Sequence, residues 1–88
     1  MRERLFIGGI AAGTTEDSLR TWLADHGVLA QAIYVVRSKA TGLGRGFAFA
    51  DLHEAGDTQR AMDRLGGHDL GGRVPSLQNA SDAGGRAG

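Results

Sequence analysis

Apolar residues recur along the chain with two periods, and the switches between them mark out six elements. Arg4 to Ile10 is a short apolar run closed by glycines and reads as a strand. Leu19, Trp22, Leu23 and His26 then return at three- and four-residue steps, which predicts an amphipathic helix from about Thr15 to His26, stopped by Gly27. Thr14 and Thr15 are candidate N-caps for it, with Asp17 three residues after Thr14 in a loose capping-box spacing. Gln31 to Arg37 holds the β-branched and aromatic run Ile33-Tyr34-Val35-Val36 and predicts a second strand; Ser38 to Gly44 is its loop. Arg45 to Leu52 alternates strictly, with Arg45, Phe47, Phe49 and Asp51 on one face and Gly46, Ala48, Ala50 and Leu52 on the other. A second helix is expected from about Glu54 to Leu65, weakened near its start by Gly56 and stopped by Gly66-Gly67. Arg73 to Asn79 reads as a last strand containing Pro75. Proline cannot donate to a ladder, so this strand is expected at an edge. Ser81 to Gly88 has no periodicity and reads as a flexible glycine-rich tail, leaving one domain over 1–80.

The order β-α-β-β-α-β is the split βαβ arrangement of ferredoxin-like folds, an α+β class. It predicts a four-stranded antiparallel sheet with both helices on one face and the other face open. If Leu5 and Ile7 point toward the helices, parity puts Arg4, Phe6 and Gly8 on the open side, together with Phe47 and Phe49. Three phenylalanines then stand on solvated sheet surface, although burying each is worth about 1.5–3 kcal/mol. An exposed aromatic cluster of this kind marks a binding surface. The opposite register would bury the rings and expose Leu5, Ile7 and Leu52, a larger loss of aliphatic burial.

Composition narrows the chemistry. The chain has 88 residues, too few for a deep enclosed active site, and no apolar run approaches the ~20 residues of a membrane-spanning helix. With no cysteine, disulfide scaffolds, zinc fingers and cysteine nucleophiles are excluded. Ten basic and ten acidic residues balance, which argues against a purely electrostatic nucleic-acid binder. Gly8 to Thr15 has the glycine spacing of a phosphate-binding loop, but Thr14 stands where the lysine belongs. His26, His53 and His68 are far apart in sequence with no metal-ligand spacing, and no serine or threonine has an evident paired base. No enzyme activity, cofactor or metal is expected.

Arg45-Gly46-Phe47-Ala48-Phe49 resembles the longer signature of the RNA recognition motif family, and Leu5-Phe6-Ile7-Gly8-Gly9-Ile10 its shorter one. The resemblance extends through Ala61 to Gly67 and Gly72-Arg73, so it covers about Arg4 to Ala80. Ala50, Leu52, Gly9, His26 and Pro75 depart from the family's usual residues, mostly at core or turn positions. The resemblance implies sheet order 4-1-3-2 and binding of single-stranded RNA, with single-stranded DNA a further ligand of the same kind. It implies stacking by Phe6 and Phe47, a base or sugar contact by Phe49, and a phosphate contact by Arg45. Tyr34 either extends the platform or simply covers apolar surface. Gln78 and Asn79 are candidates to read base edges, their parity open because of Pro75. Arg4, Arg37, Lys39 and Arg45 fall on the open face or its loops, whereas Glu16, Asp17, Asp25, Glu54, Asp57 and Asp63 fall on the helices, so a neutral chain still carries a basic face. A cytoplasmic monomer is expected, with a nuclear location the alternative for a eukaryotic source. The alternative function is a domain of the same fold that binds a protein partner.

Overall fold

The computed structural model describes residues 3–54 and 56–81. Six elements follow in the expected order: β1 (Glu3–Gly8), α1 (Glu16–Asp25), β2 (Ala32–Arg37), β3 (Gly44–Leu52), α2 (Asp57–Leu65) and β4 (Ser76–Asn79). The strands form one antiparallel sheet in the order β2-β3-β1-β4, with β1 and β3 central. Helix α1 lies against β2, and α2 against β1 and β4. Leu5, Ile7, Ala48 and Ala50 from the central strands are fully buried, as are Leu19, Leu23 and Leu65 from the helices, so one core fills the space between the layers. Ala48 and Ala50 are small where Leu5 and Ile7 are large, and the aliphatic helix residues take up the volume.

Helix α1 starts one residue later than the pattern suggests, and its capping box joins Thr15 to Ser18 rather than Thr14 to Asp17. The Ser18 N–H donates to Thr15 Oγ1 and the Thr15 N–H to Ser18 Oγ, both at 3.1 Å. Thr14 lies one residue before the cap, in a turn that its N–H closes onto Ala11 O at 3.0 Å. Helix α2 begins at Asp57, not Glu54. Gly56 sits at φ +86°, a left-handed conformation through which a right-handed helix cannot run. The Asp57 carboxylate accepts from the His53 and Glu54 N–H groups at 3.2 and 2.8 Å, fixing the turn outside the helix. Gly56 offers no capping side chain, and Glu3 of β1 supplies one from across the fold. Its buried carboxylate accepts from the Thr58 N–H at 3.1 Å, a favourable placement of negative charge at a helix N-terminus.

Strand β4 begins at Ser76 rather than Arg73. Leu70 and Arg73 close a tight turn over Gly71-Gly72, and Pro75 is buried just before the strand instead of standing within it. β4 is nevertheless an edge strand. Ser81, the first residue of the expected tail, is tied to β1 and α2: its Oγ accepts from the Arg4 N–H at 3.0 Å and contacts Thr58 Oγ1 at 3.3 Å. Residues 82–88 of that tail lie outside the described residues.

One ion pair joins the outer strand to its helix. Arg37 donates from Nη1 and Nη2 to the two Glu16 carboxylate oxygens at 2.7 and 2.8 Å. These bonds, with help from the Glu16 N–H, hold the Glu16 carboxyl down at about 2 from its ordinary 4.5. A carboxyl lowered by folding stabilises the fold above its unfolded pKa, and that contribution disappears as pH falls through the folded value. The stability difference between wild type and Glu16→Gln should therefore be largest above pH 4.5 and shrink toward pH 2 in urea-unfolding series. A difference that stays constant across this window would mean the pair does not form in solution. Hydrogen exchange should be slowest for β1 and β3 amides and faster for the four-residue edge strand β4. Equal protection in β4 and β3 would contradict the sheet order.

Candidate nucleic-acid interface

The β1–β3 register places Phe6 opposite Phe49 and Gly8 opposite Phe47. Because Leu5 and Ile7 are buried against the helices, the three rings stand together on the opposite side of the sheet, each half-buried. Phe6 and Phe47 lie 5.7 Å apart between centroids and tilted by 30°; Phe6 and Phe49 lie 5.7 Å apart edge to face. Phe47 and Phe49 are also edge to face, at 6.0 Å. These are favourable aromatic geometries, so the cluster is ordered by its own contacts as well as by the backbone. Gly8 shares this face and has no side chain because Phe6 lies over it. A Cβ there would sit 2.7 Å from Phe6 Cε2 and 2.9 Å from Cζ, closer than carbon atoms pack.

Arg4 stands on the same face, where its cross-strand partner is Asp51. Its Nε donates to Asp51 Oδ1 at 2.6 Å and its Nη2 to Oδ2 at 3.2 Å, a bidentate pair. The guanidinium carbon also lies 5.4 Å from the Tyr34 ring centroid and 5.6 Å from that of Phe49. Tyr34, 48% exposed and directly opposite Phe49 in the β2–β3 register, thus continues the aromatic surface outward from the ring cluster, with Arg4 bridging the two. Gln78 faces Phe6 from β4 and is exposed.

Other candidates fall elsewhere. Asn79 lies opposite Leu5, on the alternate parity, and its Oδ1 accepts from the Ser81 N–H at 2.8 Å, so it does not join Gln78 beside the rings. Arg37 is turned to Glu16 on α1, away from the open face, which corrects its placement among the cations there. Lys39 and Arg45 are exposed and make no ion pair among the described residues. The sequence pattern assigned Asp51 to the open face without a role. The signal was present: once Phe6 is set opposite Phe49, antiparallel counting sets Arg4 opposite Asp51.

The fold also brings together two histidines that are distant in sequence. The His26 and His68 rings lie 4.6 Å apart, next to Trp22, and His26 Nδ1–H donates to Trp22 O at 2.8 Å. No group of three potential metal-ligating side chains forms among the described residues.

Residues 5–76 match the family described as RNA recognition motif. "Glycine-rich RNA-binding protein 2, mitochondrial" of Arabidopsis thaliana is 35% identical over 82 residues, covering 93% of this chain and 51% of that protein. The chain spans about half the length, or less, of the curated relatives it matches first. Other relatives carry chloroplastic names, and none of these names supports the expected cytoplasmic location. Among solved structures, the first two RRM domains of yeast poly(U) binding protein (Pub1) match with a TM-score of 0.81 and 29% identity, covering 91% of this chain and 48% of that one. A structure titled as a Sxl-lethal protein/RNA complex matches with a TM-score of 0.75 and 25% identity, over 88% of this chain and 47% of that one. The sheet order, the two signature strands and the match over residues 5–76 agree: the chain belongs to the RNA recognition motif family.

Proposed function

We propose that the chain binds single-stranded RNA on the open sheet face, with Phe6 and Phe47 stacking bases and Phe49 contacting a base or sugar. The observation that carries this reading is the cluster of three rings within 6.0 Å of one another on the two central strands, on the side away from the helices. Family membership and the RNA-binding names of the relatives support it. Tyr34 and Arg4 extend the platform toward β2. A guanidinium held by a carboxylate beside two rings can itself offer its plane to a base. Gln78 has donors and an acceptor beside Phe6 and is suited to contact a base edge. Arg45 and Lys39 supply charge for phosphates.

The ion pairs set how strongly binding should depend on salt. Arg4 and Arg37 already face carboxylates, which leaves Lys39 and Arg45 of the four expected cations. At about −0.7 per phosphate contact on a single strand, two contacts give a slope of log K against log salt near −1.4, where four would give about −2.8. Titration calorimetry across a salt series should find the shallower value. A slope near −2.8 would return Arg4 and Arg37 to the phosphate-binding set.

Because the rings lie outside the core, truncating one should separate binding from folding. Stacking on an aromatic is worth about 1–3 kcal/mol per base, so Phe47→Ala should weaken binding to mixed-sequence single-stranded RNA by about 5- to 150-fold while the domain stays folded. Leu5→Ala, at a fully buried position, should instead cost about 2–5 kcal/mol of stability. Melting temperature and RNA affinity measured on both variants distinguish the outcomes. A Phe47→Ala variant that folds normally and binds RNA as wild type does, or a wild type that binds none, would sink the RNA reading in favour of a protein partner.

A further inference from the structure

On the helix side, away from the aromatic face, the loop after α1, the end of β3 and helix α2 enclose a cleft of about 260 Å³. Val28, Leu52 and Ala61 form a buried apolar floor, and Leu29 stands at the cleft 72% exposed. Leu29 thus adds an open apolar surface at the rim of a concavity whose base is aliphatic. The volume lies just below the range of clefts that take whole small molecules, so it suits a single side chain of a larger partner.

The charges around the cleft choose the partner. Two guanidiniums, Arg60 and Arg64, line it against one carboxylate, Asp57. Asp57 is already engaged by Arg60 and by the His53 and Glu54 N–H groups. Arg64 makes no ion pair among the described residues. Its guanidinium instead rests over Gly27, where a Cβ would stand 2.7 Å from Nη1, so the bare glycine lets this charge lie at the cleft wall. Phosphates of a nucleic acid would use the arginines and leave the apolar floor and Leu29 uncovered. An acidic peptide uses both.

We propose that this cleft docks an acidic peptide segment of a partner protein, seating one large apolar side chain against Val28, Leu29, Leu52 and Ala61 and a neighbouring carboxylate on Arg64. The site is separate from the RNA-binding reading of the sheet face and stands or falls without it.

The test is selection from a phage-displayed random peptide library on the full chain, followed by affinity measurement on wild type, Arg64→Glu and Leu29→Ser. Selected peptides should carry net negative charge and one bulky apolar residue. They should lose about tenfold or more in affinity on Arg64→Glu, as expected when a carboxylate partner is reversed in sign. Leu29→Ser, at an exposed position, keeps the test decisive if the charge reversal disturbs α2. Amide shifts on peptide addition should centre on residues 27–29, 52 and 53, and Arg64→Glu should leave the sheet-face aromatics and any RNA affinity unchanged. Failure to select acidic peptides would overturn the proposal, as would peptides that bind both variants like wild type or peptides whose shifts map to Phe6, Phe47 and Phe49.

Discussion

The register of β1 against β3 is the constraint on which the rest of the domain depends. It sets Leu5 opposite Ala50 and Ile7 opposite Ala48 on the helix side, and Phe6 opposite Phe49 and Gly8 opposite Phe47 on the other. Side chains in a strand alternate with period two, so a slip of one residue would send the aliphatic set into solvent and the rings into the core. The sizes of the facing residues disfavour this. Ala48 and Ala50 leave room for Leu19, Leu23 and Leu65, and phenylalanine rings in those small positions would overpack the core. The half-buried aromatic cluster on the open face is therefore the counterpart of the aliphatic core, both set by one pairing.

The same register explains how a chain with no net charge presents a face suited to nucleic acid. Arg4 meets Asp51 across the ladder, and its guanidinium lies close to both the Tyr34 and Phe49 rings. A guanidinium fixed in this way contributes its plane more than its charge. Arg37 is similarly matched by Glu16 on the far side of β2. In the binding mode proposed above, ring stacking therefore outweighs phosphate attraction, and Lys39 and Arg45 are the two of the four expected cations not held in an ion pair among the described residues.

Much of this was legible in the sequence because it rests on local periodicity. The alternation from Arg45 to Leu52 and the three- and four-residue steps from Leu19 to His26 are visible within one element. What was not legible depends on residues meeting across the fold. The Glu3 carboxylate at the start of α2 comes from 55 positions away, and no spacing rule connects it to Thr58. His26 meets His68 because Trp22 Nε1–H, bonded to Asp69 O at 2.9 Å, draws the loop after α2 onto α1. Arg37 looked like a loop cation on the open face, and only the packing of α1 on β2 brings Glu16 to it. The parity of Gln78 and Asn79 turned on where Pro75 sits, and its burial just before β4 leaves the strand register regular.

The last strand residues of β3 show how closely the two surfaces approach each other. Asp51 faces the aromatic side and holds Arg4, while Leu52, its neighbour, is buried beneath the cleft formed with α2. One peptide bond thus separates a residue of the ring platform from the floor of a concavity on the opposite layer. Period-two alternation sends the two side chains in opposite directions, so an occupant of either surface leaves the other sterically open. The strand that carries both residues, β3, is paired on both edges, with β1 and with β2.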